Sequence, residues 1–365
     1  SSLRMWRRRF ATSSYTRAAR VVLLWLVVRE SPHRLRPAAA GFRKANAFRA
    51  PQSSVRSAAT MSAKDSWEPP AGVRFFDAHC HMQLPRMLAH AEDVVASAKR
   101  GGVSRAAVCG CAMSDWAAVE RLAVEHPDFV SPQFGVHPWW AAEHAGPEAL
   151  EGTADWATAL ENLLRQHPAA GIGECGIDSA RKKSVPMDVQ CDVLQQQLAL
   201  ARELGRPVSL HCVGAHGMLL EILQKTFGKR GHRPGLVLHS YCGSPEMVVP
   251  FARLNCFFSF SASFLHIPKH LAALCAVPRE RLLLETDSPD QLPRECCGGA
   301  TASATPALCP PNDSIRGVPF PSPRSDDDGE MNEPAFLPGI CSRAAVALGA
   351  EVADIAALTD ANARG

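Results

Sequence analysis

Between Arg74 and Asp290 the chain carries eight short apolar runs of strand length, separated by longer stretches with a helical apolar period. The runs are 75–79, 106–109, 129–136, 170–177, 207–211, 236–239, 257–260 and 282–286. Among the intervening stretches are 89–99, 117–125 and 189–204. In the last, Val193, Leu194, Gln197, Leu198 and Ala201 keep an i, i+3, i+4 spacing, Gly205 is placed to stop the helix, and Pro207 opens the next strand. Eight such units leave two α/β architectures, a (β/α)8 barrel or an open doubly wound sheet. A nucleotide-binding open sheet needs a glycine-rich turn after its first strand, and His79-Cys80-His81 stands there instead. The expected fold is therefore a single-domain TIM barrel over residues 74–365.

The polar residues argue the same way. His79 and His81, His137, Glu174, His211, His239 and Asp287 fall at or just beyond the C-terminal ends of successive runs. In a barrel those ends converge on one face, where chemistry sits. His79 and His81 are two apart on a strand, so they share a face and Cys80 points away. Carboxylates buried at such a mouth need charge partners that neutral imidazoles cannot supply and bound cations can. Four histidines (His79, His81, His211, His239) and two carboxylates (Glu174, Asp287) are too many for one tetrahedral site, so two divalent metal ions are expected. Glu174 is the natural bridge between ions about 3.5–4 Å apart that would generate hydroxide near neutral pH. Asp287 can hold a metal and take a proton from the attacking water. Glu285 faces the interior as a second acid, or pairs with a rim Arg or Lys; both readings stay open.

Charge divides the chain. Residues 1–64 hold 14 Lys/Arg against the single acid Glu30, out of 39 basic and 36 acidic residues in all, so the remainder holds 25 basic and 35 acidic side chains, a net −10. The Arg/Ser/Ala-rich segment 1–64 reads as a transit peptide, which implies chloroplast or mitochondrion. A translation start at Met61 and a short secretory signal around 21–28 are the alternatives, and without an import signal the cytoplasm or nucleus is expected. That apolar run of eight residues falls far short of the roughly 20 a membrane span needs. The 13 cysteines form no CxxC pair, and Cys109-Gly110-Cys111 and Cys296-Cys297 have the wrong spacing for a closed zinc site, so reduced thiols are expected. Residues 293–328, rich in Pro, Gly, Ser and Asp, read as an irregular insertion after the eighth strand.

Taken in order, the motifs resemble the TatD family of metal-dependent deoxyribonucleases, within the amidohydrolase-like barrels. The segments are Phe76-Asp77-Ala78-His79-Cys80-His81, Gly135-Val136-His137-Pro138, Gly173-Glu174-Cys175-Gly176-Ile177-Asp178 and Gln195-Gln196-Gln197-Leu198. They continue with Val208-Ser209-Leu210-His211-Cys212, His239-Ser240-Tyr241-Cys242-Gly243, 282–289 and Asn332-Glu333-Pro334. His137-Pro138-Trp139 and His239-Ser240-Tyr241 are similar to the plant and algal branch. The resemblance implies a DNA phosphodiester hydrolase, commonly Mg2+-dependent, often a 3′→5′ exonuclease on single strands. It makes His79, His81, Glu174, His211, His239 and Asp287 metal ligands and puts His137 beside the substrate phosphate.

His-rich ligation by itself favours Mn2+ or Zn2+ over Mg2+. Three departures from the family's pattern stand out: Val213-Gly214 where an Arg is common, Asp290 where an aromatic is common, and the insertion before Asn332. Trp139-Trp140 either stack on a base or cover the barrel rim. With an acidic body, DNA binding is expected to come from the metals and a few local cations at a terminus, by a monomer with no protein partner and no membrane. The alternatives are a metallo-barrel that hydrolyses an amide or ester and a catalytically idle scaffold.

Overall fold

A computed structural model describes residues 69–145, 155–293, 318–326 and 328–365. The basic segment 1–64 and the middle of the predicted insertion lie outside the described residues. Eight strands, β1 (Phe75–Cys80), β2 (Val103–Cys109), β3 (Val130–Phe134), β4 (Gly171–Asp178), β5 (Val208–Val213), β6 (Leu236–Leu238), β7 (Cys256–Phe260) and β8 (Leu282–Leu284), pair in parallel in sequence order. Backbone bonds from His81 N to Ser288 O (2.7 Å) and from Asp287 N to His79 O (3.0 Å) join β1 to the segment leaving β8, which closes the ring. The fold is a TIM barrel, as the alternation of strand and helix predicted.

Helices α1 (Ala91–Arg100), α2 (Trp116–Glu125), α3 (Trp156–Gln166), α4 (Met187–Leu204) and α5 (His216–Phe227) alternate with the strands, followed by α6 (Pro268–Ala276), α7 (Leu337–Ala347) and α8 (Val352–Arg364). Each of α1 to α5 buries one apolar stripe: Val94, Val95 and Ala98 on α1, Val119 and Leu122 on α2, Leu160 and Leu164 on α3, Val193, Leu194 and Leu198 on α4, Leu219 and Leu223 on α5. Burying each such Val or Leu contributes about 1.5–3 kcal/mol. Gly205 ends α4 at φ +62° in open space, the left-handed cap the sequence indicated. Among the described residues no single helix is long and apolar enough to cross a membrane.

Two differences from the expected strands matter for the site. β6 and β8 end at Leu238 and Leu284, so His239 and Asp287 stand on the turns that leave the sheet. β3 leaves its ladder after Phe134, where a Cβ on Gly135 would lie 2.8 Å from the Gly173 carbonyl carbon; the two backbones pack directly there.

The region read as irregular is structured at its far end. β9 (Arg324–Asp326) and β10 (Gly329–Met331) form an antiparallel hairpin. Arg86 grips Asp326 through two bonds, Nε to Oδ2 at 2.8 Å and Nη2 to Oδ1 at 2.7 Å, and also donates to Gly329 O. Nothing in the apolar pattern announces this hairpin, because its strands are three residues long and held by charge.

Candidate metal centre

Helix α4 sets the floor of the site. Gln190 and Gln197, seven residues and so about two turns apart, lie on one buried face. Gln197 accepts from Val136 N at 2.8 Å and donates to Val136 O at 3.1 Å, fixing the residue before His137. Gln190 does the same for Asp178, accepting from its N at 2.7 Å and donating to its O at 3.2 Å. On the other side of the barrel Asp77, fully buried, accepts from both the amide and the hydroxyl of Thr286. Asn332 donates to Thr286 O and Asp290 O. Together they brace the turn that carries Asp287, whose φ of +53° is a left-handed conformation that Asp tolerates better than most residues. Burial pushes the Asp77 carboxyl up to about 8.

At the C-terminal mouth seven of the predicted residues meet. Oε2 of Glu174 lies 3.3 Å from His79 Nε2 and 3.2 Å from His81 Nε2, and those two nitrogens are 3.2 Å apart. Asp287 Oδ1 closes this first pocket at 3.9 and 3.7 Å from the same nitrogens. Oε1 of Glu174 turns the other way, 2.8 Å from His211 Nδ1, 2.7 Å from His239 Nε2 and 3.1 Å from His137 Nε2. His211 Nδ1 and His239 Nε2 are 3.3 Å apart. The carboxylate thus presents one oxygen to each of two nitrogen clusters.

The outer ring nitrogens of these four histidines each face an oxygen. His81 Nδ1 lies 2.8 Å from the Cys109 carbonyl oxygen and His79 Nδ1 lies 2.9 Å from Ser209 Oγ. His211 Nε2 faces Asp178 Oδ2 at 3.5 Å, and His239 Nδ1 faces Glu285 Oε1 at 3.7 Å. The Cys109 carbonyl can only accept, so it draws the His81 proton to Nδ1; Ser209 Oγ can accept in the same way behind His79, while the carboxylates behind His211 and His239 stand beyond hydrogen-bond length, in the place an acceptor takes behind a metal-binding histidine. Ring nitrogens about 3 Å from one another and from a carboxylate are held there by protons or by a cation between them. Donor atoms sharing one ion at about 2.1 Å are spaced by roughly 3 Å, so the donor set fits divalent cations.

His137 is different. Its Nδ1 accepts the backbone N–H of Trp139 at 3.2 Å, so the neutral ring carries its proton on Nε2 and donates toward Glu174 Oε1. His137, Glu174 and His211 are close enough to cage an ion, but a ring in this tautomer offers a proton there and no lone pair.

The charge balance follows from burial. Burial alone would raise the Glu174 carboxyl, but the imidazoles of His239, His137 and His79 hold it well below the usual carboxylate range. Burial lowers His79, and lowers His137 to about 4, so both rings are neutral near pH 7; at His81, His211 and His239 burial is outweighed by neighbouring anionic groups, Glu174 among them, which raise all three, so divalent ions entering there would displace protons.

Several neighbours carry no signal in the metal-ligand motifs. Asp178, four residues after Glu174 on β4, and Ser209, two before His211 on β5, share the faces of those ligands at period two. That spacing could have found them; the Cys109 carbonyl and the Trp139 amide have no such signature. Glu285 is fully buried, accepts from Ser240 N at 2.6 Å and faces His239. Among the described residues it forms no ion pair with Arg or Lys, so it stands behind an imidazole and away from the open mouth. Cys109 and Cys111 lie 3.4 and 3.5 Å from the outer nitrogens of His79 and His81. Burial keeps both thiols protonated, Cys111 up at about 11. Cys80, Cys175 and Cys212 are buried in the core, as their alternation implied.

The comparisons with known proteins agree with this geometry. The family described as "TatD related DNase" matches residues 76–365. The chain is 33% identical over 276 residues, 75% of its length and 90% of the relative's, to the "3'-5' ssDNA/RNA exonuclease TatD" of Klebsiella pneumoniae. To the protein of the same name from Edwardsiella piscicida it is 31% identical over 255 residues, 69% and 83% of the two lengths. Among solved structures, a TatD homologue from Escherichia coli superposes with a TM-score of 0.60 at 23% identity, covering 80% of this chain and 96% of that one. An uncharacterized amidohydrolase from Saccharomyces cerevisiae superposes with a TM-score of 0.65 at 18% identity, covering 80% and 98%. These two likenesses concern the fold.

Proposed function

The chain belongs to the TatD-related DNase family, and from that premise we propose that it is a metal-dependent nuclease that hydrolyses DNA phosphodiester bonds, removing nucleotides 3′→5′ from single strands with two divalent cations, Mg2+ foremost. The observation that carries this reading is the pair of Glu174 oxygens facing two separate clusters of imidazole nitrogen. His79, His81 and Asp287 would hold one ion, His211 and His239 the other, with Glu174 shared. Bound there, cations supply Lewis acidity toward a phosphoryl oxygen and a water of lowered pKa.

The chain's own groups do the rest. His137 directs Nε2–H into the mouth, where it can donate to a phosphoryl oxygen in place of Glu174. Asp287 is placed to take the proton of the attacking water. Asp178 and Glu285 hold the rings of His211 and His239 in register. The relatives' printed names support a single-stranded substrate and extend it from DNA to RNA. The acidic body supports engagement of a strand end over binding along a duplex.

End-labelled single-stranded oligonucleotides blocked at the 3′ or the 5′ end, digested with Mg2+, Mn2+ or Zn2+, test this directly. The expected result is stepwise shortening that a 3′ block stops, EDTA abolishes and Glu174→Ala lacks. No cleavage of any oligonucleotide, with turnover of esters or amides in a parallel panel, would overturn it.

A further inference from the structure

Beside the second nitrogen cluster sits a cation with no part in holding the metal-facing histidines, Arg181. Arg181 ends the Ser179–Arg181 turn that follows β4, and its guanidinium carbon lies 4.1 Å from the centroid of the Trp139 ring. Trp139 is 41% exposed. Its Nε1 donates to Asp178 Oδ2 at 2.6 Å, the same oxygen that faces His211. The Trp139 and His211 rings are 6.3 Å apart. One short chain of contacts therefore fixes Arg181 relative to a metal-binding histidine.

Arg181 differs from Arg86, which follows β1. Arg86 is spent on Asp326, whereas no carboxylate pairs with Arg181 among the described residues. The neighbouring end of β5 supplies no cation, because His211 is followed by Cys212, Val213 and Gly214. A Cβ on Gly214 would collide with Ser179 Oγ, so the Ser179–Arg181 turn itself covers that position. A guanidinium stacked on an indole is weakly hydrated and held flat, with its N–H edge free for a bidentate bond to phosphate.

We propose that Arg181, shelved on Trp139, is a substrate-positioning residue that grips the phosphate one nucleotide away from the bond being cut, so that the enzyme prefers an oligonucleotide to a simple phosphodiester. This rests on the nuclease reading. It also assigns Trp139 the role of platform for an arginine, ahead of base stacking or rim cover.

The test compares metal-loaded wild type, Arg181→Ala and Arg181→Lys on a single-stranded tetranucleotide and on bis(p-nitrophenyl) phosphate, which has no second phosphate. Binding of a cleavage-resistant phosphorothioate oligonucleotide is followed in parallel by fluorescence anisotropy across a salt series. In Arg181→Ala the tetranucleotide KM should rise about tenfold with little change in kcat. The preference for tetranucleotide over the small diester should fall by about the same factor. The salt slope of binding should flatten by about 0.7, one phosphate contact on a single strand. Arg181→Lys should recover part of each loss.

Equal losses on both substrates, or an unchanged tetranucleotide KM and salt slope, would overturn the assignment and leave Arg181 as cover for Trp139. A wild type that opens neither diester would instead overturn the nuclease reading, and this one with it.

Discussion

Trp139 donates its backbone N–H to Nδ1 of His137, and this one bond sets His137 apart from the four other imidazoles at the mouth. Each of those has an oxygen behind it and turns its other nitrogen to the cation pockets; His137 has a donor behind it and a proton in front. His137→Ala should therefore retain the metal content of wild type while kcat falls about 100- to 1,000-fold, the loss typical of a missing transition-state donor. His239→Ala should lose metal as well as activity. Metal analysis beside initial rates checks both, and loss of an ion from His137→Ala would make it a ligand.

Asp178 and Glu285 touch no predicted metal position, yet each faces the outer nitrogen of a ring that does. Asp178→Asn and Glu285→Gln should each weaken metal binding about 10- to 100-fold. Isothermal titration with Mn2+ measures this, and unchanged affinity in either variant would remove that residue from the support of the site.

Two glycines separate site geometry from stability. A Cβ on Gly135 would lie 2.8 Å from Gly173 C and 2.9 Å from Glu174 O, backbone atoms that yield only by moving Glu174. Gly135→Ala should cost metal affinity and activity out of proportion to any fall in melting temperature. Gly205→Ala meets nothing within 4 Å and only pays for its left-handed φ, about 1–2 kcal/mol, with activity intact. Denaturant melts and rates of the two variants should diverge in this way.

His144 gives the fold a pH dependence of known sign. It is buried, its Nε2 accepts from Met113 N at 3.2 Å and its Nδ1 donates to Trp140 O at 2.9 Å, so both nitrogens are committed to the neutral ring. Burial holds its pKa below the usual value of about 6.5. Below that value the unfolded chain takes up a proton that the folded ring refuses. The stability contributed by the neutral ring is therefore present above about pH 6.5 and is lost as pH falls through the folded-state pKa. Urea melts at pH 7.5 and pH 5 should show a smaller acid loss in His144→Gln than in wild type. An equal loss would contradict this.

Much of the barrel, and the seven residues that meet at its mouth, are legible in the sequence. A parallel strand buried on both faces is a nearly continuous apolar run, and an imidazole or carboxylate at its end interrupts that run visibly, as at His79, His211 and Asp287. The supporting groups interrupt no apolar run. Ser209 and Asp178 share a ligand's strand face at period two, the one signal that could have found them, whereas the Cys109 carbonyl differs from any other strand carbonyl only in what faces it across the barrel. The hairpin of Arg324–Asp326 and Gly329–Met331 was invisible for another reason: an Arg86–Asp326 pair 240 positions apart leaves no local pattern. Glu285 shows the limit of spacing alone, which left open an interior acid or a rim pair with Arg or Lys and did not reach its place facing His239.

Glu174 divides its two oxygens between two candidate cation pockets. Crystals soaked with Mn2+ and measured for anomalous scattering test this most directly. The prediction is two peaks flanking Glu174, about 3.5–4 Å apart, one beside His79, His81 and Asp287 and the other beside His211 and His239. A single peak, or peaks that do not share Glu174, would contradict it.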